Sequence, residues 1–87
     1  MSEILTDGVR TYAWLTVEGA RTLCRVQLDP ESTATFSVRL GRAVEPRPRL
    51  QTVTPTSRAP ASLQPYTGER RWAFEVAVAH RETEVSL

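Results

Sequence analysis

The residues best suited to covalent chemistry in this chain are Cys24 and His80, its only cysteine and its only histidine. A nucleophilic thiol needs a neighbouring base that lowers its pKa, so these two side chains would have to meet in the fold. The alternating pattern around Cys24 instead places it on the core side of a strand, where cysteine is usually a buried structural residue. We therefore predict no catalytic residues.

Metal and nucleotide sites also lack a supporting motif. A metal ion needs three or more convergent ligands, and the nearest acidic pairs, Asp29 with Glu31 and Glu82 with Glu84, each lack a third oxygen. The four glycines stand far apart, which excludes a glycine-rich phosphate cradle. No nucleophile-elbow pattern surrounds a serine. The sequence predicts a protein that is not an enzyme, with no metal, no cofactor and no small-molecule site.

The remaining candidate is a surface that we call the Arg/aromatic face. It combines arginines with two large aromatic side chains and one leucine, and it contains no acidic residue. Its members are Arg10, Tyr12, Trp14, Arg21, Leu23, Arg25 and Arg39. Arginine and aromatic residues are enriched in the cores of protein interfaces, and an apolar patch on a surface usually marks an interface.

Three uses of this face are consistent with the sequence. The final strand or a second copy of the chain could cover it, the latter giving a homodimer. A different protein could dock on it. Single-stranded nucleic acid could stack bases on Tyr12 and Trp14 while arginines neutralise phosphates, although the glycine-bearing signature of sheet-based RNA binders is absent. We favour a small protein-interaction module that self-associates through this face, such as an assembly subunit, an inhibitor or an accessory factor. Another protein partner stays open, and the alternative function is single-stranded nucleic-acid binding.

Composition restricts the partners further. The chain has 87 residues and a net charge of +1, so no strong overall field attracts nucleic acid or a membrane. All eleven basic residues are arginine, which suits planar, bidentate contacts. A chain this short has a thin core, which favours oligomerisation. No signal peptide and no transmembrane run is evident, so we expect a cytoplasmic protein without a membrane partner.

A β-hairpin from Val9 to Leu28 positions most of the Arg/aromatic face. Two runs rich in β-forming residues flank Glu18-Gly19, a two-residue turn signal. This turn sets the register, with Trp14 opposite Leu23 and Tyr12 opposite Arg25. The other side of the hairpin, on which Val9 is opposite Leu28, is small and apolar and is predicted to face the core.

The elements around the hairpin are predicted within a single domain. Residues 1–8 read as a loosely held arm, and residues 9–44 as a three-stranded meander whose third strand covers Thr33 to Leu40. Asp29-Pro30 could form a turn or begin a helix. The period-two pattern from Ala34 to Leu40 favours the turn and the strand, which would bring Arg39 onto the Arg/aromatic face.

The last part of the chain contains a proline-rich connection and a long apolar run. In the connection, residues 45–69, Leu50–Thr54 could be an edge strand and Ser57–Gln64 one helical turn. Residues 70–87 are predicted to be a final strand and tail, because Trp72, Phe74, Val76 and Val78 alternate, although the alanines also allow a helix. The expected fold is mainly β, an antiparallel meander that closes into a barrel-like or half-open sheet.

Overall fold

A computed structural model describes the backbone of residues 3–37 and 48–86, and the side chains of residues 3–34 and 48–82. Five strands and two helices follow one another along the chain. They are β1 (Ile4–Thr6), β2 (Thr11–Val17), β3 (Ala20–Leu28), α1 (Pro30–Ser37), β4 (Leu50–Pro55), β5 (Gln64–Pro65) and α2 (Arg71–Ser86). The strands form one sheet in the order β4-β3-β2-β1-β5, and every neighbouring pair is antiparallel.

The hairpin of β2 and β3 forms as predicted. Glu18 and Gly19 have positive φ angles of 51° and 82°, which is the backbone of the tight turn that matches strand twist. The register runs from Val17 opposite Ala20 to Thr11 opposite Val26 and agrees with the prediction at each pair between them. Local turn chemistry therefore sets which side chains share a face.

The N-terminal segment was predicted to be a loose arm, and this is wrong, because Ile4–Thr6 form β1. This strand pairs with β2 on one side and β5 on the other, and Ile4 is buried. A turn at Asp7 connects β1 to β2 and ends the ladder at Thr11. Val9, predicted to face Leu28 in the core, therefore projects from this turn and is 89 % exposed.

The predicted third strand from Thr33 to Leu40 is wrong, because α1 spans Pro30–Ser37, while residues 38–40 lie outside the described part. Asp29 caps the helix, with its Oδ1 accepting the Glu31 N–H at 3.0 Å, and proline fits the first helical turn. The strand beside β3 is β4, which confirms an edge strand in the proline-rich connection. The predicted helical turn at Ser57–Gln64 is not formed, and the connection ends in β5.

The predicted final strand is also wrong, because Arg71–Ser86 form α2. Helical spacing brings Ala73, Phe74, Ala77 and Val78 onto one buried face, and the two alanines allow close approach to the sheet. This face packs on the apolar side of the hairpin, against Leu15, Cys24 and Val26 among others. Trp72 lies outside the contact and is 39 % exposed.

The prediction of a mainly β fold with an antiparallel sheet is confirmed. Closure into a barrel is not, because the sheet is open. Its edges are β4 and β5, and α2 covers one face only. Among the described residues, neither helix is long and apolar enough to cross a membrane.

Candidate interaction surface

The sheet presents the Arg/aromatic face on the side opposite α2. Tyr12 and Trp14 project from β2, and Leu23 and Arg25 from β3, with the cross-strand pairs that were predicted. Arg21 lies opposite Thr16 on the same side. Arg10 belongs to the turn before β2 and is exposed. The predicted member Arg39 lies outside the described residues.

Arg21 lies over the ring of Trp14 on this face. The Arg21 Cζ atom lies 5.5 Å from the centre of the Trp14 ring, which is a cation–π distance. The pair is diagonal in the ladder, an arrangement that long side chains can span. Trp14 is half-buried and Arg21 is exposed, so both are accessible from solvent.

Tyr12 makes a polar contact that the sequence analysis missed. Its hydroxyl donates to Asp7 Oδ2 at 2.9 Å, and Asp7 Oδ1 accepts the backbone N–H groups of Arg10 at 2.7 Å and Val9 at 2.9 Å. These bonds, first that of Arg10, lower the pKa of the Asp7 carboxyl. The Asp7-Gly8 turn signal marks the turn, but only the pairing of β1 with β2 brings its carboxylate to Tyr12.

Two members of the face are buried although α2 packs on the other side. Tyr12 is 3 % exposed and Leu23 is 7 % exposed. Leu5 lies opposite Tyr12 in the neighbouring strand. Cross-strand neighbours flank a side chain without covering it from above. A further segment of the chain must therefore cross this face.

The connection between β4 and β5 supplies that segment. It joins opposite edges of the sheet, which lie four strand spacings or about 19 Å apart. From Thr56 to Gln64 the backbone can extend at most about 28 Å. A path around the ends of β2 and β3 would need about 40 Å or more. Because α2 occupies one face, the connection must cross the Arg/aromatic face.

Hydrogen bonds fix the start of the connection beside β3, where they continue the ladder between β3 and β4. The backbone N–H and the hydroxyl of Thr56 both donate to the Leu23 carbonyl oxygen, at 2.9 and 3.0 Å. Pro60 and Leu63, farther along the crossing, are half-buried. Strand order and the burial of Tyr12 and Leu23 together indicate that the connection covers the apolar part of the face. The alternative of cover by a final strand does not occur, because Arg71–Ser86 form α2 on the other side of the sheet.

The part of the face that stays accessible is cationic. Arg21 and Arg25 are exposed beside Trp14, and the crossing segment adds the exposed Arg58. Asp7, which accepts a hydrogen bond from the Tyr12 hydroxyl, places one negative charge at the end of the face that carries Arg10. Positive charge therefore exceeds negative charge among these residues, although the whole chain has a net charge of only +1.

The residues with catalytic potential lie in unfavourable surroundings. Cys24 is fully buried in the core, its thiol donates to the Thr22 carbonyl oxygen at 3.5 Å, and burial raises the pKa of the thiol. His80 lies on α2 beside Arg81, lining a small surface hollow with Arg49. In the parts of the chain that the structure describes, no three histidine, cysteine or acidic side chains come together as a metal site would require.

The arrangement offers non-covalent binding: an accessible indole ring, a cation stacked on it and further arginines around it. Comparison with known proteins adds no assignment, since no protein-family model, curated protein or solved structure matches the chain.

Proposed function

We propose that this protein is a non-catalytic protein-interaction module that binds an acidic region of a partner protein on its Arg/aromatic face. The observation that carries the proposal is the Trp14–Arg21 pair, held at 5.5 Å on an accessible, cationic side of the sheet. A tryptophan and an arginine together provide apolar area and bidentate hydrogen bonding, which is the composition of interface hot spots.

The charge of the face selects the class of partner. A second copy of the chain would bring this arginine-bearing patch against an identical patch, because a twofold interface is made of the same surface from both copies. Like charges in contact disfavour that pairing. An acidic surface gives the complementary potential and speeds the encounter of the two proteins.

Nucleic acid is a weaker candidate for the same face. The stacking proposal relied on both Tyr12 and Trp14, and Tyr12 is buried with its hydroxyl bonded to Asp7. Bases could stack on Trp14 alone, and a single ring provides less binding energy than a platform of two.

Titration followed by tryptophan emission tests the proposal and separates the two partner classes. The sample is a Trp72→Phe variant, so that Trp14 gives the signal, and the ligands are a short glutamate-rich peptide carrying one leucine and a short oligothymidylate. We expect saturable binding of the peptide that weakens with salt and is strongly reduced in Arg21→Ala, a variant that keeps the Trp14 signal. Tighter binding of the oligonucleotide would favour the nucleic-acid function, and no saturable binding of either ligand would contradict both.

Self-association is a second candidate, carried by a different observation. The edge strand β4, Leu-Gln-Thr-Val-Thr-Pro, contains no charged residue, and charge is one of the devices by which natural edge strands prevent pairing; its one such device is Pro55 at the end of the strand. Antiparallel pairing of two β4 strands would join two sheets and leave the Arg/aromatic face open. Light scattering should then give twice the monomer mass, and Thr52→Lys should restore the monomer. A wild-type monomer at high concentration would contradict this candidate.

A further inference from the structure

A hollow of about 220 Å³ opens where the hairpin ladder ends. The strand β2 begins at Thr11, opposite Val26, so Gln27 and Leu28 of β3 pair with β4 but have no described strand on the other side. The turn through Asp7 leads the chain away from the position that a longer β2 would fill. The shape of the hollow follows from this early end of β2.

Three arginines from separate elements line this hollow. Arg10 belongs to the turn before β2, Arg25 to β3, and Arg70 to the turn that precedes α2. Thr11 and Gln27 add polar groups, and Phe74 contributes an apolar wall. No acidic residue is among the lining residues.

These three arginines differ from most others in the chain. Arg49 pairs with Asp29 at 3.2 Å, Arg71 pairs with Glu75 at 2.8 Å, and Arg21 lies on Trp14. Within residues 3–34 and 48–82, the side chains of Arg10, Arg25 and Arg70 form no hydrogen bond or ion pair.

Asp7, the acidic side chain that interacts with Arg10, does not line the hollow, so its lining contains three cations and no acid. Neighbouring cations repel one another, and a bound anion reduces this cost. We infer that the hollow formed by Arg10, Arg25 and Arg70 binds a phosphate monoester group. A doubly charged phosphoryl group has three terminal oxygens, and guanidinium groups bind phosphate through paired N–H donors. The group could come from a small organic phosphate or from a phosphorylated side chain. Binding weakens below about pH 6, where the second proton returns to the phosphate.

This site shares Arg10 and Arg25 with the Arg/aromatic face but does not depend on partner docking there. Arg70 lines only the hollow, whereas Arg21 and Trp14 belong only to the face. Variants of Arg70 and Arg21 therefore distinguish a failure of the phosphate site from a failure of the proposed function.

Arginine side-chain NMR tests the inference, because the Nε–H signals report each guanidinium separately. Inorganic phosphate, a hexose phosphate and a short phosphoserine peptide are each added at constant ionic strength. We expect signals of the three lining arginines to shift together and saturate, while that of Arg58, exposed and likewise without a described partner, stays in place. The tighter of the two organic ligands identifies the source of the phosphate group.

Variants complete the test. Arg70→Gln should weaken phosphate binding about tenfold or more, the effect of losing one charge-assisted contact, while Arg58→Gln and Arg21→Gln should leave it unchanged. Circular dichroism verifies that each variant is folded. Shifts that fail to saturate with all three ligands, or that affect Arg58 as strongly as Arg70, would overturn the inference.

Discussion

Replacing Val78 by alanine tests the packing of α2 on the sheet. This packing buries the apolar side of the hairpin and leaves the Arg/aromatic face on the opposite side. Val78 is fully buried, and the substitution removes two methyl groups, about 1.6 kcal/mol of transfer free energy at about 0.8 kcal/mol each. The cavity left behind raises the cost to about 2–3 kcal/mol. For a domain of this size, that loss lowers Tm by about 10 °C or more.

Val76→Ala is the matched control, because it makes the same chemical change on the same helix. Alanine raises helix propensity by about 0.5 kcal/mol in both variants, so this contribution cancels in the comparison. Val76 is half-buried, so we expect Val76→Ala to lower the free energy of unfolding by at least about 1 kcal/mol less than Val78→Ala does. In a strand the two valines would share one face and lose similar amounts.

Urea unfolding followed by far-UV circular dichroism gives both values. An unchanged m-value would show that the variants alter stability and leave the surface exposed on unfolding the same. Equal losses for Val76→Ala and Val78→Ala, or no loss for Val78→Ala, would refute the packing described for α2.

Four further predictions concern the turns, the covered face and the core thiol. Glu18→Asn should stabilise the protein by about 0.5–1 kcal/mol in urea unfolding, because asparagine tolerates the positive φ of 51° better than glutamate. Leu23→Ala should lower the free energy of unfolding by about 2–4 kcal/mol, because Leu23 is buried. A much smaller decrease, as expected for an exposed leucine, would contradict cover of Leu23 by the connection. Hydrogen bonds from the backbone and from Tyr12 lower the pKa of the Asp7 carboxyl below its ordinary value of 3.8. The ionised carboxylate therefore stabilises the folded protein above that pH, and this contribution is lost as the pH falls through the folded-state pKa. In Asp7→Asn, the free energy of unfolding should depend less on pH in this acidic range. Cys24 should react with iodoacetamide only as fast as the core opens, and rapid alkylation of the native protein would contradict its burial.

The hairpin was predictable because residues close together in the sequence determine its turn and its register. The Glu18-Gly19 turn and the alternating residues on either side fix register without help from the rest of the chain. The edge strand β4 was predictable for a similar reason, since prolines bound it and do not interrupt it.

The two helices were misassigned because their sequences satisfy two periods at once. Trp72, Phe74, Val76 and Val78 alternate as a strand would, yet Phe74 and Val78 are also four residues apart and share a helical face. Packing against the sheet favours the helical alternative, and it leaves Trp72 partly exposed. At α1, the cap formed by Asp29 outweighs the alternating pattern that follows it.

The burial of part of the Arg/aromatic face could not be predicted from local sequence patterns. Tyr12 and Leu23 are buried, and the strand order requires a connection more than thirty residues downstream of Leu23 to cross the sheet on their side. That crossing follows from strand order, which no short-range signal encodes. Sequence spacing nevertheless placed Trp14 and Arg21 on one face, and the structure brings them together.

Charge reversal at Arg21 tests the central claim, that an acidic partner docks on the Trp14 side of the sheet. The glutamate-rich peptide is titrated into Arg21→Glu and into Arg71→Glu, the latter changing the same charge on α2 at the opposite side. We predict that Arg21→Glu weakens binding by about tenfold or more, because it replaces an attraction by a repulsion at the contact, and that Arg71→Glu has little effect. Equal weakening by both variants would mean that only net charge matters, and it would contradict docking at this face.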